Sequence, residues 1–427
     1  MRITLVNPGQ GVMTEQPPLG LMSLASYLEL HSHEVKIVDC PLGESLEDNL
    51  VSFRPGVVGI GTLTRVANHA YQCADLCRSK GIYTVMGGHH VSALPEEAIQ
   101  HCDSVVIGDG EKKLLELIES KEKGIFQGDP IMDLDSLPLP AYHLVNMGIY
   151  STRRNIVEMA SFSPRSFKVG HILTSRGCPY RCVMCYNSSR DRPIRYRSPE
   201  KVLEEIQFLT DTYGVKSICF LEDNLFANKQ RLGKICSLLD SQGFNILWSG
   251  NTRVDNVTED SLMMAYNAGC LQIAVGFESG SQRILDVLKK EITVEESEEC
   301  ARLANKVGII VQGSVMVNNP TETLQDIKMT QSLLANNVID GGIGVCVTIP
   351  LPGTELWRMY QSHEGPHSQN WDLFDYGHLP VKMASLDLDI LVTLINETIG
   401  ISQALFSARA YSRERKFKTF AKKRGIS

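Results

Sequence analysis

The chain has no surplus of basic residues. Its 427 residues carry 42 Lys and Arg against 49 Asp and Glu, a net charge of -7. That leaves no electrostatic footprint for nucleic acid or an anionic membrane surface. No stretch approaches the roughly 20 consecutive apolar residues of a membrane span. The start, Met1-Arg2-Ile3-Thr4-Leu5-Val6, leads into no long apolar run or cleavage site, so it reads as a first strand and not a signal peptide. A zinc framework is missing too, because zinc sites pair a CxxC with a second ligand pair further on. Of the 12 cysteines, all but three are scattered through apolar patterns such as Ile218-Cys219-Phe220 and Lys234-Ile235-Cys236. They read as small buried hydrophobes in a reduced cytoplasm, not as a disulfide framework. Cys73 and Cys77, four apart on a helical pattern, read as packing. What remains is an ordinary globular composition, long enough for two or three domains.

The other three cysteines stand together in Arg176-Gly177-Cys178-Pro179-Tyr180-Arg181-Cys182-Val183-Met184-Cys185, spaced CxxxCxxC. Three thiolates so placed can hold three irons of a cubane cluster, and an iron–sulfur cluster usually takes four cysteines. The fourth iron is then left to bind something else. At these residues the chain resembles the radical S-adenosylmethionine (SAM) superfamily. The resemblance implies that the open iron chelates the amino and carboxylate groups of SAM. The reduced cluster then splits the C5′–S bond to give a 5′-deoxyadenosyl radical. The family usually has an aromatic residue just before the third cysteine. This chain has Met184, bulky and polarizable, which can pack against the adenine or the cluster.

Upstream, strand and helix patterns alternate. Ile3 to Val6, Glu34 to Asp39, Val57 to Gly61, Tyr83 to Met86 and Ser104 to Ile107 read as strands, with helical patterns between them and over Glu111 to Ser120. Short apolar runs between helices predict a doubly wound, flavodoxin-like parallel sheet covered on both faces. Ligands of such sheets bind at the carboxyl ends of the strands. Those ends carry Asn7-Pro8-Gly9, Gly61-Thr62, Gly87-Gly88-His89-His90 and Gly108-Asp109-Gly110-Glu111. Glycines there allow close backbone approach to a ligand, although Gly-Gly and Asp-Gly are also plain turn signals.

Together with Pro18-Leu19-Gly20-Leu21, these GGxH and GxGE segments resemble the cobalamin-binding domain of class B radical SAM enzymes. The resemblance places cobalamin on Asn7, Pro8, Gly61, Thr62, Gly87, Gly88, His90, Gly108, Gly110 and Glu111. The DxHxxG pattern, whose histidine becomes the lower cobalt ligand in many cobalamin enzymes, is absent. The resemblance implies base-off cobalamin with no protein histidine on cobalt, with His90 at the corrin periphery.

Between Gly124 and Gly170 the periodicity fades, and Asp133-Leu134-Asp135-Ser136-Leu137-Pro138-Leu139-Pro140 reads as an extended linker. From His171 a second alternation begins. Its apolar runs are Ile172-Leu173-Thr174, Ser217 to Leu221, Ile246 to Trp248, Gln272 to Phe277, Ile309 to Val317 and Gly344 to Ile349. Helical patterns lie between, one opening on Pro199 with acids in its first turns. About six such units match the partial (β/α)6 TIM-like barrel of the radical SAM fold, whose sites lie at the carboxyl ends of strands. The resemblance then puts SAM on Glu222 and Asp223, Asn251 and Arg253, Glu278 and Ser279, and Asn318, in strand order, with Glu278 accepting from ribose hydroxyls. Many relatives have Gly-x-Pro-x-Glu where this chain has Asn318-Asn319-Pro320-Thr321-Glu322. Pro350-Leu351-Pro352-Gly353-Thr354 matches a PxPGT segment of cobalamin-dependent members. Asp223 and Glu322 fit equally well as helix-start charges. Beyond Tyr360 the chain is less regular through Trp371 to Tyr376. A helix from about Leu386 to Ala410 follows, then a basic end, Arg413 to Arg424, that reads as a solvated helix end.

The expected domains are 1–123 for cobalamin, 124–170 as linker, 171–362 as the radical SAM partial barrel, and 363–427 as a mostly helical C-terminal segment. The expected protein is a cytoplasmic enzyme holding a 4Fe–4S cluster, SAM and cobalamin. It acts on a small molecule with electrons from a flavodoxin or ferredoxin, without nucleic acid or a membrane span. The favoured reaction is methyl transfer to an unactivated carbon or a phosphinate phosphorus, with methylcobalamin delivering methyl to a substrate radical. Two alternatives stay open: an oxidative cyclase resembling the anaerobic magnesium-protoporphyrin ester cyclases, and a cobalamin-binding sensor that never turns over. A methylthiotransferase is disfavoured, since it should carry further N-terminal cluster cysteines and a terminal RNA-binding module.

Overall fold

The short apolar runs become buried parallel strands. The computed structural model describes residues 1–9, 16–151, 168–189, 193–361, 370–375 and 377–425. Its first strands are β1 (Arg2–Asn7), β2 (Glu34–Asp39), β3 (Val57–Gly61), β4 (Tyr83–Gly87), β5 (Ser104–Gly108) and β6 (Gly124–Gly128). They pair in parallel in the order β2-β1-β3-β4-β5-β6. This is the flavodoxin-like order with one strand added, and its direction of winding reverses between β1 and β3, where such sheets bind ligands. The added strand, β6, lies where the sequence showed no periodicity. Its five residues include two glycines and sit half-buried at the sheet edge, too little alternation to read. The helical pattern between β4 and β5 resolves into a pair of short helices, His89–Ala93 and Pro95–Ala98. Pro95 has no N–H to continue the first and is suited to start the second. Residues 152–167 of the expected linker, and Tyr376, lie outside the described residues.

The backbone gathers into two units: residues 1–147, 184–192 and 349–380 in one, and 148–183, 193–348 and 381–427 in the other. The second unit holds β7 (Lys168–Ile172), β8 (Ser175–Arg176), β9 (Arg195–Tyr196), β10 (Val215–Phe220), β11 (Leu247–Thr252), β12 (Cys270–Glu278), β13 (Ile310–Val317) and β14 (Ile343–Val347). Six of them form a curled half-barrel, all parallel, in the order β14-β13-β12-β11-β10-β7, while β8 and β9 make a small antiparallel ribbon. Helices alternate with the strands because local signals start and stop them. Ser198 accepts from the Lys201 N–H at 3.3 Å before Pro199, and Gly214 closes that helix at φ +68°. Thr293 with Glu296, and Thr323 with Asp326, form capping boxes. Between β10 and β11 the buried Trp248 ring meets Phe220 edge-on at 5.5 Å, and its Nε1–H donates to the Ala268 carbonyl at 3.0 Å. An aromatic core anchor thus keeps its one polar atom satisfied.

One segment comes closer to a membrane span than the sequence suggested. The helix Leu388–Ala408 is long and apolar enough by length and composition to cross one, although it carries Asp389 and Glu397. Leu391, Leu394, Ile395, Thr398 and Ser402 form its buried face, and Ser402 Oγ donates to the β14 carbonyl of Ile343 at 2.6 Å. An apolar stripe of this kind is what packing on a sheet requires.

Candidate functional site

In the first unit the sequence-predicted residues gather at the carboxyl ends of β1, β3, β4 and β5. Asn7 Nδ2 donates to Asp39 Oδ1 at 2.9 Å, and Pro8 is buried beside it. Gly61 and Gly87 end neighbouring strands in register. Thr62 is 2% exposed. Its N–H donates to Gly87 O at 2.8 Å, and its carbonyl accepts from the His90 N–H at 3.2 Å. The strand ends are this close only because Gly88 has no side chain. It sits at φ +103°, and a Cβ there would stand 2.6 Å from Thr62 O. Gly108 donates its N–H to Ser92 Oγ at 3.2 Å. Gly110 opens the helix whose first residue, Glu111, is buried and accepts from Ser23 Oγ at 3.4 Å.

His90 is drawn inward. It is 1% exposed, with Nδ1 3.2 Å from Thr64 Oγ1 and Nε2 3.1 Å from Tyr71 OH. Trp371 stands edge-on to its ring at 4.9 Å, and Trp371 Nε1–H donates to Glu97 Oε1 at 2.9 Å. Burial works to raise the Glu97 carboxyl, but hydrogen bonds from His90, Tyr71 and Trp371 outweigh it and hold the carboxyl low. The neighbouring His89 faces outward against the Tyr186 ring, 4.6 Å away.

Cys40, His69 and Cys73 also converge, with ligand atoms within 4.8 Å of one another. The Gly9 N–H donates to His69 Nδ1 at 2.9 Å. A neutral ring so bonded keeps its proton on Nε2, the nitrogen facing Cys73 at 3.8 Å. A metal would need that nitrogen as a lone-pair donor, so this arrangement reads as packed thiols.

In the second unit the residues at the strand ends form two linked layers. The lower layer is structural. Glu222 is fully buried after β10. It accepts from Ser175 Oγ at 2.8 Å, from Thr174 Oγ1, and from Arg231 Nη1 at 3.3 Å. Burial pushes its carboxyl up, against the pull of Arg231. Asn251 Nδ2 donates to the Glu222 carbonyl at 3.0 Å. Asn318, at φ +69°, is fully buried. Its Nδ2 donates to Thr348 O at 3.2 Å and Val381 O at 2.9 Å, and its Oδ1 accepts from the Met383 N–H at 2.8 Å. Ser279 is buried too, bonded to Thr330 Oγ1 at 3.1 Å.

The upper layer faces the cysteine loop. Cys182 is buried and Cys178 half-buried. Burial raises the Cys178 thiol, and the exposed Asp223 carboxylate adds to the effect. The Arg253 guanidinium lies over the Tyr180 ring, 3.5 Å from its centroid, and Nη1 reaches Cys182 Sγ at 3.5 Å. Glu278, at φ +59°, folds its carboxylate back to Lys290 Nζ at 2.7 Å. That pair needs Gly276, where a Cβ would stand 2.3 Å from Glu278 Oε1.

Residues 172–334 match the Radical SAM superfamily, and residues 11–118 match the B12 binding domain. An uncharacterized methyltransferase of Pyrococcus horikoshii is 32% identical over 407 residues, covering 87% of this chain and 85% of its own. The chain belongs to the cobalamin-dependent radical SAM enzymes. An anaerobic magnesium-protoporphyrin IX monomethyl ester cyclase of Rubrivivax gelatinosus is 24% identical over 373 residues, covering 78% of this chain and 65% of its own. The radical SAM methyltransferase TsrM of Kitasatospora setae, solved with cobalamin and a 4Fe–4S cluster, has the same fold. Its TM-score is 0.67 at 17% identity, covering 95% of this chain and 90% of that one.

A cobalamin-dependent radical SAM enzyme uses a 4Fe–4S cluster, SAM and cobalamin, and the residues here suit all three. Thr62 Oγ1 is buried with no partner among the described residues, and it stands at the strand ends where open parallel sheets bind ligands. The thiols of the cysteine loop are the soft donors an iron–sulfur cluster takes. Sequence reasoning missed Tyr180, Lys290, Arg231 and Tyr71. Tyr180 was legible as a ring inside the cysteine loop. The other three act through partners distant in sequence and left no local signal. A cleft lined by Gln207, Lys216 and Phe244 opens near the amino ends of β10 and β11, the face that serves stability in such barrels.

Proposed function

We propose that this enzyme transfers a methyl group from SAM to an unactivated carbon, or a phosphinate phosphorus, of a small molecule. The observation that carries the reading is the pairing, in one chain, of a glycine-lined strand-end crevice with a half-barrel bearing CxxxCxxC. When bound, cobalamin supplies a carrier for methyl, and the cluster with SAM supplies a carbon radical.

The chain's own residues hold and shield these groups. Cys178, Cys182 and Cys185 are assigned to the cluster. Asn7, Pro8, Gly61, Gly87, Gly108 and Gly110 present backbone to the corrin, and Thr62 offers its hydroxyl. Asp223 and Glu278 are assigned to the SAM side. Glu222, Asn251, Ser279 and Asn318 support that floor from below through the bonds given above. Residues 1–123 serve cobalamin, 171–362 serve SAM, and 363–427 close over substrate, with 124–170 joining them. Electrons come from a flavodoxin or ferredoxin in the cytoplasm.

SAM carrying a deuterated methyl group tests the reaction. The product should gain the label, with S-adenosylhomocysteine and 5′-deoxyadenosine formed in comparable amounts. The cyclase relative motivates the rival reading, an oxidative ring closure. Unlabelled product with 5′-deoxyadenosine and no stoichiometric S-adenosylhomocysteine would establish that reading and refute methyl transfer.

A further inference from the structure

Arg253 was expected among the SAM contacts, yet its donors point elsewhere. It follows β11 and is 5% exposed. Nε donates to Asp255 Oδ1 at 2.9 Å and Nη2 to Asp255 Oδ2 at 3.3 Å, a fork on one carboxylate. Nη2 also donates to the Lys290 carbonyl, and Nη1 to Cys182 Sγ at 3.5 Å. These contacts engage four of the five N–H groups a guanidinium has. Its face is covered by Tyr180 at 3.5 Å. Tyr180 is itself fixed, its OH accepting from Asn256 Nδ2 at 2.6 Å, and Asn256 Oδ1 accepts from Asn224 Nδ2 at 2.6 Å. The Val183 N–H, next to Cys182, donates to Leu288 O at 3.0 Å. Arg253 is therefore anchored from behind and aimed at one sulfur.

We propose that Arg253 is a positioning residue for the iron–sulfur cluster, holding a fixed positive charge and a donated hydrogen bond on the Cys182 sulfur and so raising the cluster's reduction potential. This rests on the assignment of Cys182 as a cluster ligand. A guanidinium stays charged at any working pH. Reduction adds one electron, and hence one negative charge, to the cluster, with the electron coming from a low-potential donor of the flavodoxin class. A cation and a donor at a ligating sulfur favour that more negative state, and hydrogen bonds to sulfur are among the levers that set iron–sulfur potentials. Buried beneath Tyr180, the charge is less screened than it would be in water. The same bond fixes where Cys182 Sγ lies before iron arrives.

The test uses the full chain, reconstituted without oxygen as wild type, Arg253→Gln and Arg253→Lys. Iron and sulfide are measured first. The midpoint of the cluster is then titrated with dithionite, following the paramagnetic signal of the reduced cluster. In Arg253→Gln the reduced-to-oxidised ratio at a fixed potential should fall at least tenfold, a shift of about 59 mV to more negative values for a one-electron couple. Arg253→Lys should recover part of it. Loss of iron in Arg253→Gln with retention in Arg253→Lys also supports the proposal, because charge then decides. Full iron in Arg253→Gln with an unmoved midpoint overturns it. So does equal loss of iron in both variants, which would assign Arg253 to packing alone. A wild-type chain that takes up no cluster would instead defeat the cysteine assignment itself.

Discussion

Alanine in place of Gly88 is a sharp test of the cobalamin crevice. Gly88 adopts φ +103° and ψ -178°, a region open essentially to glycine alone, and a side chain there costs about 1–3 kcal/mol. The added Cβ would stand 2.6 Å from the Thr62 oxygen and 2.7 Å from its nitrogen. Both are backbone atoms and both are engaged: Thr62 N–H with Gly87 O at 2.8 Å, and Thr62 O with the His90 N–H at 3.2 Å. The ends of β3 and β4 must separate, losing two hydrogen bonds of about 1 kcal/mol each. The sum is about 3–5 kcal/mol, a large part of a typical stability of about 5–15 kcal/mol. Gly87→Ala is the internal control. Its Cβ would meet only the Val106 oxygen, at 3.8 Å, and the change should stay within about 1 kcal/mol. Urea unfolding of each variant gives the stability. Visible absorbance after gel filtration with excess cobalamin gives retention of the cofactor. Gly88→Ala should unfold much earlier and lose cobalamin, while Gly87→Ala should keep close to wild-type stability. If the two variants unfold alike, the Thr62–Gly88 contact does not hold the ends of β3 and β4 together.

Two further outcomes are expected. Glu322 is fully buried, and burial pushes its carboxyl up to about 7 from 4.5, despite hydrogen bonds from the Asn319 N–H and Nδ2. A group bound more tightly by protons in the folded state stabilises fully below its unfolded value, and that contribution is lost as pH rises through the folded one. At 1.36 kcal/mol per unit the loss is about 3 kcal/mol. Thermal midpoints should therefore drop more steeply between about pH 4.5 and 7 in the wild type than in Glu322→Ala, and equal slopes across that window would refute the assignment. The cob(II)alamin form should show no superhyperfine splitting from an axial imidazole nitrogen. Both ring nitrogens of His90 lie against protein hydroxyls at 3.2 and 3.1 Å. A three-line nitrogen splitting that collapses to two lines when the histidines carry nitrogen-15 would place a histidine on cobalt after all.

The sequence by itself determined the two alternations of strand and helix, because buried parallel strands and amphipathic helices have different periods. It also determined where helices begin, because Ser198, Thr293 and Thr323 act on backbone three residues away. The cysteine loop was legible for the same reason: its spacing is local. β6 was not, since two of its five residues are glycine and its pairing with β5 comes from the fold. Tertiary structure alone decided which polar residues were free to meet a ligand. Glu222 bonds to Thr174, 48 residues back, Asn318 to Val381, 63 residues on, and Arg253 to Cys182, 71 residues back. A polar side chain at a strand end looks the same in sequence whether it faces a cofactor or a distant stretch of its own chain. Only the packed fold, by bringing those distant partners within hydrogen-bond reach, divides the supports from the contacts.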